Sequence, residues 1–450
     1  MIRLRRTQLT LALACLVATV HARQAPVTTS PPSGSTLLSL TWIISQVLSN
    51  NPTLQAAGAN WQAMGRRVPQ ARAWEDPRAS FDQRVARFVG VPPNSFADER
   101  LMVEQTLPVS GRNRLRADAA TAEAASAFEE LRRKQLDAVS RARAAFFRLA
   151  NAAKQLELNR KNSDLLKQFA EISHARMAAG NNSQGDALSA DTELARLDEA
   201  QFDFQRQISD ASTELNVLMN RPPEAALLPP PDLTFEPVDL SLPNLEALVL
   251  ANRPELAMAQ RKLEAARARL NAAQKEWIPE PSLRLEADRY NDASQIVSEL
   301  DAGFSIDLPW FNRSKYRAAI RENESLVQAA HHELDAARSE ALGLVVDQFH
   351  RVETFHHHTE LYQAKLLPLA RQTVAARRSA YEADKASFLE VLTAEQTARD
   401  AESMYWDHLM HYNEALAELE GIIGVDLAAP AHSTSDHHHQ HMQDGDHNNE

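Results

Sequence analysis

The chain has 450 residues, 44% of them hydrophobic and only 12 of them Gly, with a formal net charge of -12 and a pI near 5.8. Length alone allows several domains, but long stretches rich in Ala, Glu, Gln, Arg and Leu point to long helices. The acidic balance excludes nucleic acid as a partner, because phosphate binding needs a basic face and here Arg is interspersed with Glu.

Residues 1–22 have the pattern of a signal peptide: Arg3, Arg5 and Arg6 precede an apolar run from Leu9 to Val20, and Val20-His21-Ala22 suits a small-residue cleavage site. Arg5-Arg6 resembles a twin-Arg signal only weakly, since basic n-regions often contain the pair. Lipidation of Cys15 is the rival reading, and Ala12-Leu13-Ala14 puts the Leu of its lead sequence in the wrong place. Cys15 is the only cysteine, so cleavage leaves no disulfide, thiolate metal site or cysteine nucleophile. Beyond the signal no uninterrupted apolar stretch reaches the roughly 18 to 20 residues of a membrane helix. Any membrane crossing therefore falls to strands.

A flexible linker, 23–36, leads into a first repeat over 37–220. There a helix from Leu37 to Trp74 gives way at Pro77 to candidate strands Ala79 to Phe88 and Leu101 to Leu107, whose alternation is imperfect. A helix without Pro then runs from Arg112 to Ala179, breaks over Gly180 to Gly185, and returns. Residues 221–243 form a connector whose Pro222, Pro223, Pro229, Pro230, Pro231, Pro237 and Pro243 no helix interior tolerates.

The second repeat, 244–424, follows the same plan. Its strand signal is cleaner: Leu300, Ala302, Phe304, Ile306 and Leu308 alternate with Glu299, Asp301, Gly303, Ser305 and Asp307, and Leu283, Leu285 and Ala287 alternate with Arg284, Glu286 and Asp288. A membrane barrel strand needs this period of two, apolar toward lipid and polar toward a watery lumen. A soluble hairpin with one buried face has the same local pattern. A long helix from Arg313 to Tyr381, interrupted only by Pro368, breaks over Glu382 to Ser387 before a final helix. Each long helix would extend about 100 Å at 1.5 Å per residue, a length that suits a duct. Val139, Ala142, Phe146, Leu149, Ala153 and Leu156 recur in steps of three and four, a coiled-coil seam that Leu342, Val345, Phe349, Val352, His356 and Thr359 repeat less purely.

The duplication is visible in matched pieces about 200 residues apart. Leu48-Ser49-Asn50-Asn51-Pro52-Thr53-Leu54 aligns with Leu250-Ala251-Asn252-Arg253-Pro254-Glu255-Leu256, Trp74 with Trp277, Leu107-Pro108 with Leu308-Pro309, and Phe146 with Phe349.

The layout from Leu37 to Gly424 resembles the TolC-type outer-membrane efflux family. The resemblance rests on Asn252-Arg253-Pro254-Glu255-Leu256, the turn Gln105-Thr106-Leu107-Pro108-Val109-Ser110-Gly111-Arg112, its partner Asp307-Leu308-Pro309-Trp310-Phe311-Asn312-Arg313, and the helix-tip segment Phe388-Leu389-Glu390-Val391-Leu392. Asn312 and Asp384 stand where the family often has Gly, so those turns are expected to differ in detail. The resemblance implies a mainly α fold with a small membrane β-barrel: a homotrimer whose chains each give four strands to a shared twelve-stranded barrel in outer-membrane lipid, above a coiled-coil helical tunnel in the periplasm. It also implies an inner-membrane efflux pump and a periplasmic adaptor as partners. Four strands cannot close a pore alone, so oligomerisation would satisfy their edges.

No enzyme site is legible: a GxxxxGK[ST] loop is missing, and His332-Glu333 fails as HExxH at Ala336. Glu390 matches an acidic constriction position of the family, Thr393 stands where a second acid is expected, and Asp186 is the rough counterpart of Glu390 in the first repeat. A trimeric ring of Glu390 would favour cations, whereas the plain alternative is a solvated helix charge. In the tail, 425–450, His432, His437, His438, His439, His441 and His447 suit loose binding of Zn, Cu, Ni or Co. An affinity tag or a merely polar tail would account for the same composition. His356, His357 and His358 point in different directions around a helix and cannot chelate one ion together, which leaves them a structural role. The tail tilts the cargo toward heavy-metal cations, resembling cobalt-zinc-cadmium or copper exporters. A multidrug or type I secretion duct and, from another class, a soluble periplasmic coiled-coil adaptor are the alternatives.

Overall fold

The structure is a computed structural model, and it describes residues 37–83, 99–178, 184–292, 295–383, 385–425 and 427. The expected signal peptide and linker lie outside the described residues, as does the His-rich tail apart from Val425 and Leu427.

The expected first helix is two. Helix α1 (Leu40–Asn50) ends where Pro52 opens α2 (Pro52–Arg72), with Asn51 extended between them. Pro at a first helical position loses no bond and has its φ already set, so a new helix starts there at little cost. The Asn51 carboxamide oxygen caps Thr53 N at 2.9 Å and Leu54 N at 3.3 Å, while its Nδ2 donates to the Leu218 carbonyl at 3.0 Å. The second repeat breaks its helix at the same place, between α5 (Leu242–Asn252) and α6 (Pro254–Ala273). Arg253 there replaces Asn51 and reaches the Ile422 carbonyl at 3.3 Å.

Strands β1 (Arg78–Gln83), β2 (Glu99–Thr106), β3 (Pro281–Asp292) and β4 (Gln295–Ile306) form one antiparallel sheet in sequence order. The β2–β3 pairing joins the two repeats, from Glu99 opposite Arg289 to Thr106 opposite Ser282. The expected extension of the first strand to Phe88 falls outside the described residues.

Helix α3 (Arg112–Ala178) is continuous over 67 residues, and α4 (Gln184–Leu218) returns along it. In the second repeat α7 (Arg313–Leu361) passes through a π-turn (Tyr362–Leu366) into α8 (Leu367–Glu382), and α9 (Phe388–Ile423) returns. Pro368 explains the π-turn. Its nitrogen cannot donate and its ring crowds the carbonyl one turn earlier, so the backbone widens locally and Leu367 N bonds Tyr362 O instead.

Two matching cores pack these rods. One gathers Ile43, Val47, Ala142, Phe146, Leu149, Leu215 and Met219; the other gathers Leu245, Val249, Ala341, Val345, Val352, Leu419 and Ile423. The first seam is buried at Ala142, Phe146, Leu149 and Leu156, and widens over Ala138, Ala145 and Ala152. In the second, Val345, Val352 and Thr359 are buried while Leu342, Phe349 and His356 are half-buried, because the buried stripe is turned toward Ala341 and Gln348. The Pro-rich connector is held along the bundle. Leu38 N donates to Pro229 O at 2.8 Å, Lys154 meets Asp232 at 2.8 Å, and the Tyr412 hydroxyl bridges Val238 N and Glu236 O.

Candidate functional site: the membrane sheet and the duct wall

Register sorts the sheet into two chemically distinct faces. Leu101, Ala287 and Leu300 lie side by side, as do Val103, Leu285 and Ala302, with Phe81 beside Leu101. All are on one face, and Phe81, Leu285, Leu300 and Phe304 are exposed there. A soluble hairpin would bury this face, whereas the helices here pack elsewhere. On the opposite face Arg100 pairs with Glu286 at 2.6 Å and Asp288 at 2.8 Å, and Tyr290 donates to Glu299 at 2.9 Å. Apolar outward and charged inward is the chemistry of a strand between lipid and an aqueous lumen.

Where the sheet meets the helices, Trp74, Trp277, Trp310 and Phe311 are exposed together with Val109 and Leu308. Aromatic rings in such a girdle suit the lipid–water interface. The first junction is fixed by Glu280, which accepts from Ser110 Oγ and pairs with Arg112. Burial pushes the Glu280 carboxyl up, but the hydrogen bonds from Arg112 and Ser110 outweigh it and hold it below the usual carboxylate range. Gly111 turns the chain at φ +73°, a conformation that costs residues with a Cβ. Its counterpart Asn312 instead closes a short 3-10 turn (Pro309–Asn312) at φ -110°. The expected difference is present at Asn312, whereas Asp384 lies outside the described residues.

The wall is tied by side chains that no local pattern identifies. Arg143 of α3 pairs with Glu420 of α9, Asn151 and Gln155 of α3 both donate to Asp407 of α9, and Arg399 of α9 reaches Glu193 of α4. Glu193 is 3% exposed and also meets Arg196 of its own helix at 3.5 Å. Arg and Glu are abundant along the sequence, and only the three-dimensional packing says which of them meet.

At the reversal end, Ser387 caps α9 through Glu390 N, and the Glu390 carboxylate accepts from Arg377 of α8 at 3.0 Å. Glu390 and Thr393 are both exposed, one turn apart, and Thr393 Oγ1 bonds its own helix at Leu389 O. Asp186 lies in the first turn of α4, and its side chain is outside the described residues, as are His432, His437, His438, His439, His441 and His447. The structure thus places Glu390 and Thr393 on one helix face beside a cation that sequence reasoning did not pair with them. His356, His357 and His358 fan out as expected: His356 packs on Phe235 and Tyr412, His357 is exposed, and His358 turns to His408 of α9.

The profile of the outer membrane efflux protein family matches residues 43–221 and 245–425, one stretch per repeat. An alkaline protease secretion protein, AprF of Pseudomonas aeruginosa, is 24% identical over 84% of this chain and 82% of its own length. The nickel-cobalt-cadmium resistance protein NccC of Alcaligenes xylosoxydans xylosoxydans is 25% identical over 66% of this chain and 67% of its own. The solved outer-membrane channel OprN superposes with a TM-score of 0.75 at 22% identity, covering 86% of this chain and 90% of that one. The fold, the sheet's two faces and the family profile agree: the chain belongs to the outer membrane efflux protein family, passive exit ducts of the outer membrane with a long periplasmic portion.

Proposed function

We propose that three copies of this chain close their sheets into a twelve-stranded barrel and their helices into a tunnel that passes heavy-metal cations out of the periplasm. The observation that carries the assembly is the sheet itself. Among the described residues β1 and β4 each pair on one side only, while their apolar face is exposed. Open strand edges in lipid leave backbone groups unsatisfied, and neighbouring copies supply the missing partners. The chain does no chemistry and draws its energy from an inner-membrane pump through a periplasmic adaptor, the arrangement in which family members work. Support for metal cargo comes from the NccC relative and the His-rich tail, and the AprF relative keeps a protein-secretion duct as the second reading.

Glu390 forms the closed end's acidic ring, with Thr393 one turn inside and Asp186 as its first-repeat counterpart. Arg377 tempers that charge, so opening exchanges the ion pair for water or cargo. Unchanged conductance and cation selectivity in single-channel records of Glu390→Ala would overturn this role. The tail's histidines bind Zn, Cu, Ni or Co loosely, which titration of a tail peptide reads directly. Growth of a deletion strain across metals and drugs, with periplasmic metal measured, tests the cargo: sensitivity to drugs alone, with periplasmic metal unchanged, overturns the metal reading.

A further inference from the structure

Helices α7 and α9 meet at a cluster of rings beside the π-turn. His358 and His408 have centroids 4.9 Å apart at an interplanar angle of 56°. Tyr362, the first residue of the π-turn, lies 5.0 Å from His408, and Phe355 stacks on His411 at 5.1 Å. The Nδ1 atoms of both His358 and His408 are buried without a hydrogen-bond partner. A buried imidazole nitrogen left so is costly, and one on each of two neighbouring rings across a helix pair points to something that serves both.

The spacing says what that is. A ring nitrogen lies roughly 1.2 Å from its centroid and about 2.0 to 2.1 Å from a bound zinc, so two imidazoles sharing one tetrahedral ion have centroids roughly 5 Å apart. The observed separation matches. The exposed trio His331, His332 and Asp335 does not match as well: its two rings are 6.2 Å apart, and His331 Nδ1 is already engaged by Asp335 at 2.9 Å.

We propose that His358 and His408 form a binding site for one divalent transition-metal cation, of the zinc, copper, nickel or cobalt class, which staples α7 to α9 beside the π-turn. Phe355 packs against both rings and Tyr362 against His408. Neutral imidazole is the form that ligates metal. Asp407 itself is held by Asn151 and Gln155, and His411 Nδ1 meets Glu414 at 3.2 Å. The ion therefore keeps open positions for water, which suits exchangeable rather than structural binding. The site does not depend on what the duct carries.

The test uses the full-length chain purified in detergent, in a background whose six tail histidines are replaced by Gln. Titration with Co(II) should give tetrahedral nitrogen-ligated absorption bands saturating at one ion per chain, and zinc should displace it. His358→Gln and His408→Gln should each weaken binding on the order of tenfold or more, whereas His357→Gln should leave it unchanged. Zinc should also slow amide exchange around the π-turn. Co(II) spectra without tetrahedral bands, or an affinity indifferent to His358→Gln and His408→Gln, would overturn the site without touching the cargo reading. A folded-state check by helix content accompanies each variant, and the Co(II) spectrum of the unsubstituted pair needs no variant at all.

Discussion

If the exposed apolar face of the sheet lies in lipid, one substitution should separate its two faces cleanly. Strands β3 and β4 have 12 residues each, about 40 Å of chain, which a tilt near 45° reduces to the roughly 25 Å of a barrel's apolar band. Leu300 sits at the middle of β4, opposite Ala287, and is 77% exposed. It is therefore placed near the bilayer midplane, where Arg on the lipid face costs about 2–4 kcal/mol. That is about thirtyfold or more in the folding equilibrium, at 1.4 kcal/mol per factor of ten. Asp301→Arg moves the same side chain one residue along, onto the charged face opposite Glu286, and should cost less than about 0.5 kcal/mol. Refolding of each variant into lipid vesicles, followed by urea titration and by oligomer migration on semi-native gels, measures the difference. Equal stabilities for Leu300→Arg and Asp301→Arg would refute the assignment of the faces.

The remaining expectations concern the junctions and the wall. Arg399→Ala leaves the buried Glu193 carboxylate only the exposed Arg196 at 3.5 Å and should cost about 2 kcal/mol in a urea midpoint, while the double change with Glu193→Gln should recover part of it. Gly424 ends α9 at φ +74°, where an added Cβ would meet the Asn252 carbonyl oxygen at 3.1 Å, so Gly424→Ala should destabilise by about 1–2 kcal/mol or more in thermal melts. The Glu280 carboxyl is held low in the folded state, so its contribution is complete above the ordinary carboxylate range and is lost as pH falls through the folded value. Acid titration of stability between about pH 5 and pH 2 should therefore be shallower in Glu280→Gln, and an unchanged slope would discount the Arg112 contact.

How much of this was legible in the sequence follows from the range of the forces involved. Period-two alternation marked β3 and β4 because their two faces meet different solvents along the whole strand. It marked β1 poorly, since Gln83 falls on the same face as Ala79 and Phe81. The helix break at Asn51-Pro52 was missed although Pro52 was visible: Pro at a first turn is compatible with either an entry or a simple start, and only the Asn51 contact to Leu218 fixes the corner. The pairing of Glu390 with Arg377 and of Glu193 with Arg399 could not be read at all, because the partners are brought together by helix return rather than by spacing. The same holds for His358 and His408, which lie fifty residues apart on different helices.

The drift in the repeat spacing is where sequence and structure explain one another. Between the Trp74 match and the Pro108 match the spacing shortens by two residues, and that interval contains the strand hairpin of each half, so the first hairpin is the longer one. Between the Phe146 match and the Asp186 match it lengthens by one, and the interval in the second half contains the π-turn Tyr362–Leu366. A π-turn holds one more residue per hydrogen-bonded loop than an α-turn, so it absorbs a single insertion without breaking the rod. The first repeat has Leu165 near the position of Pro368 and stays α-helical throughout α3. One residue added beside a proline thus rotates the far end of α8 relative to α7 while α3 keeps its α-helical phase. The two halves of the wall are consequently not interchangeable toward the reversal end, and the cross-helix histidine pair sits at the point where they diverge.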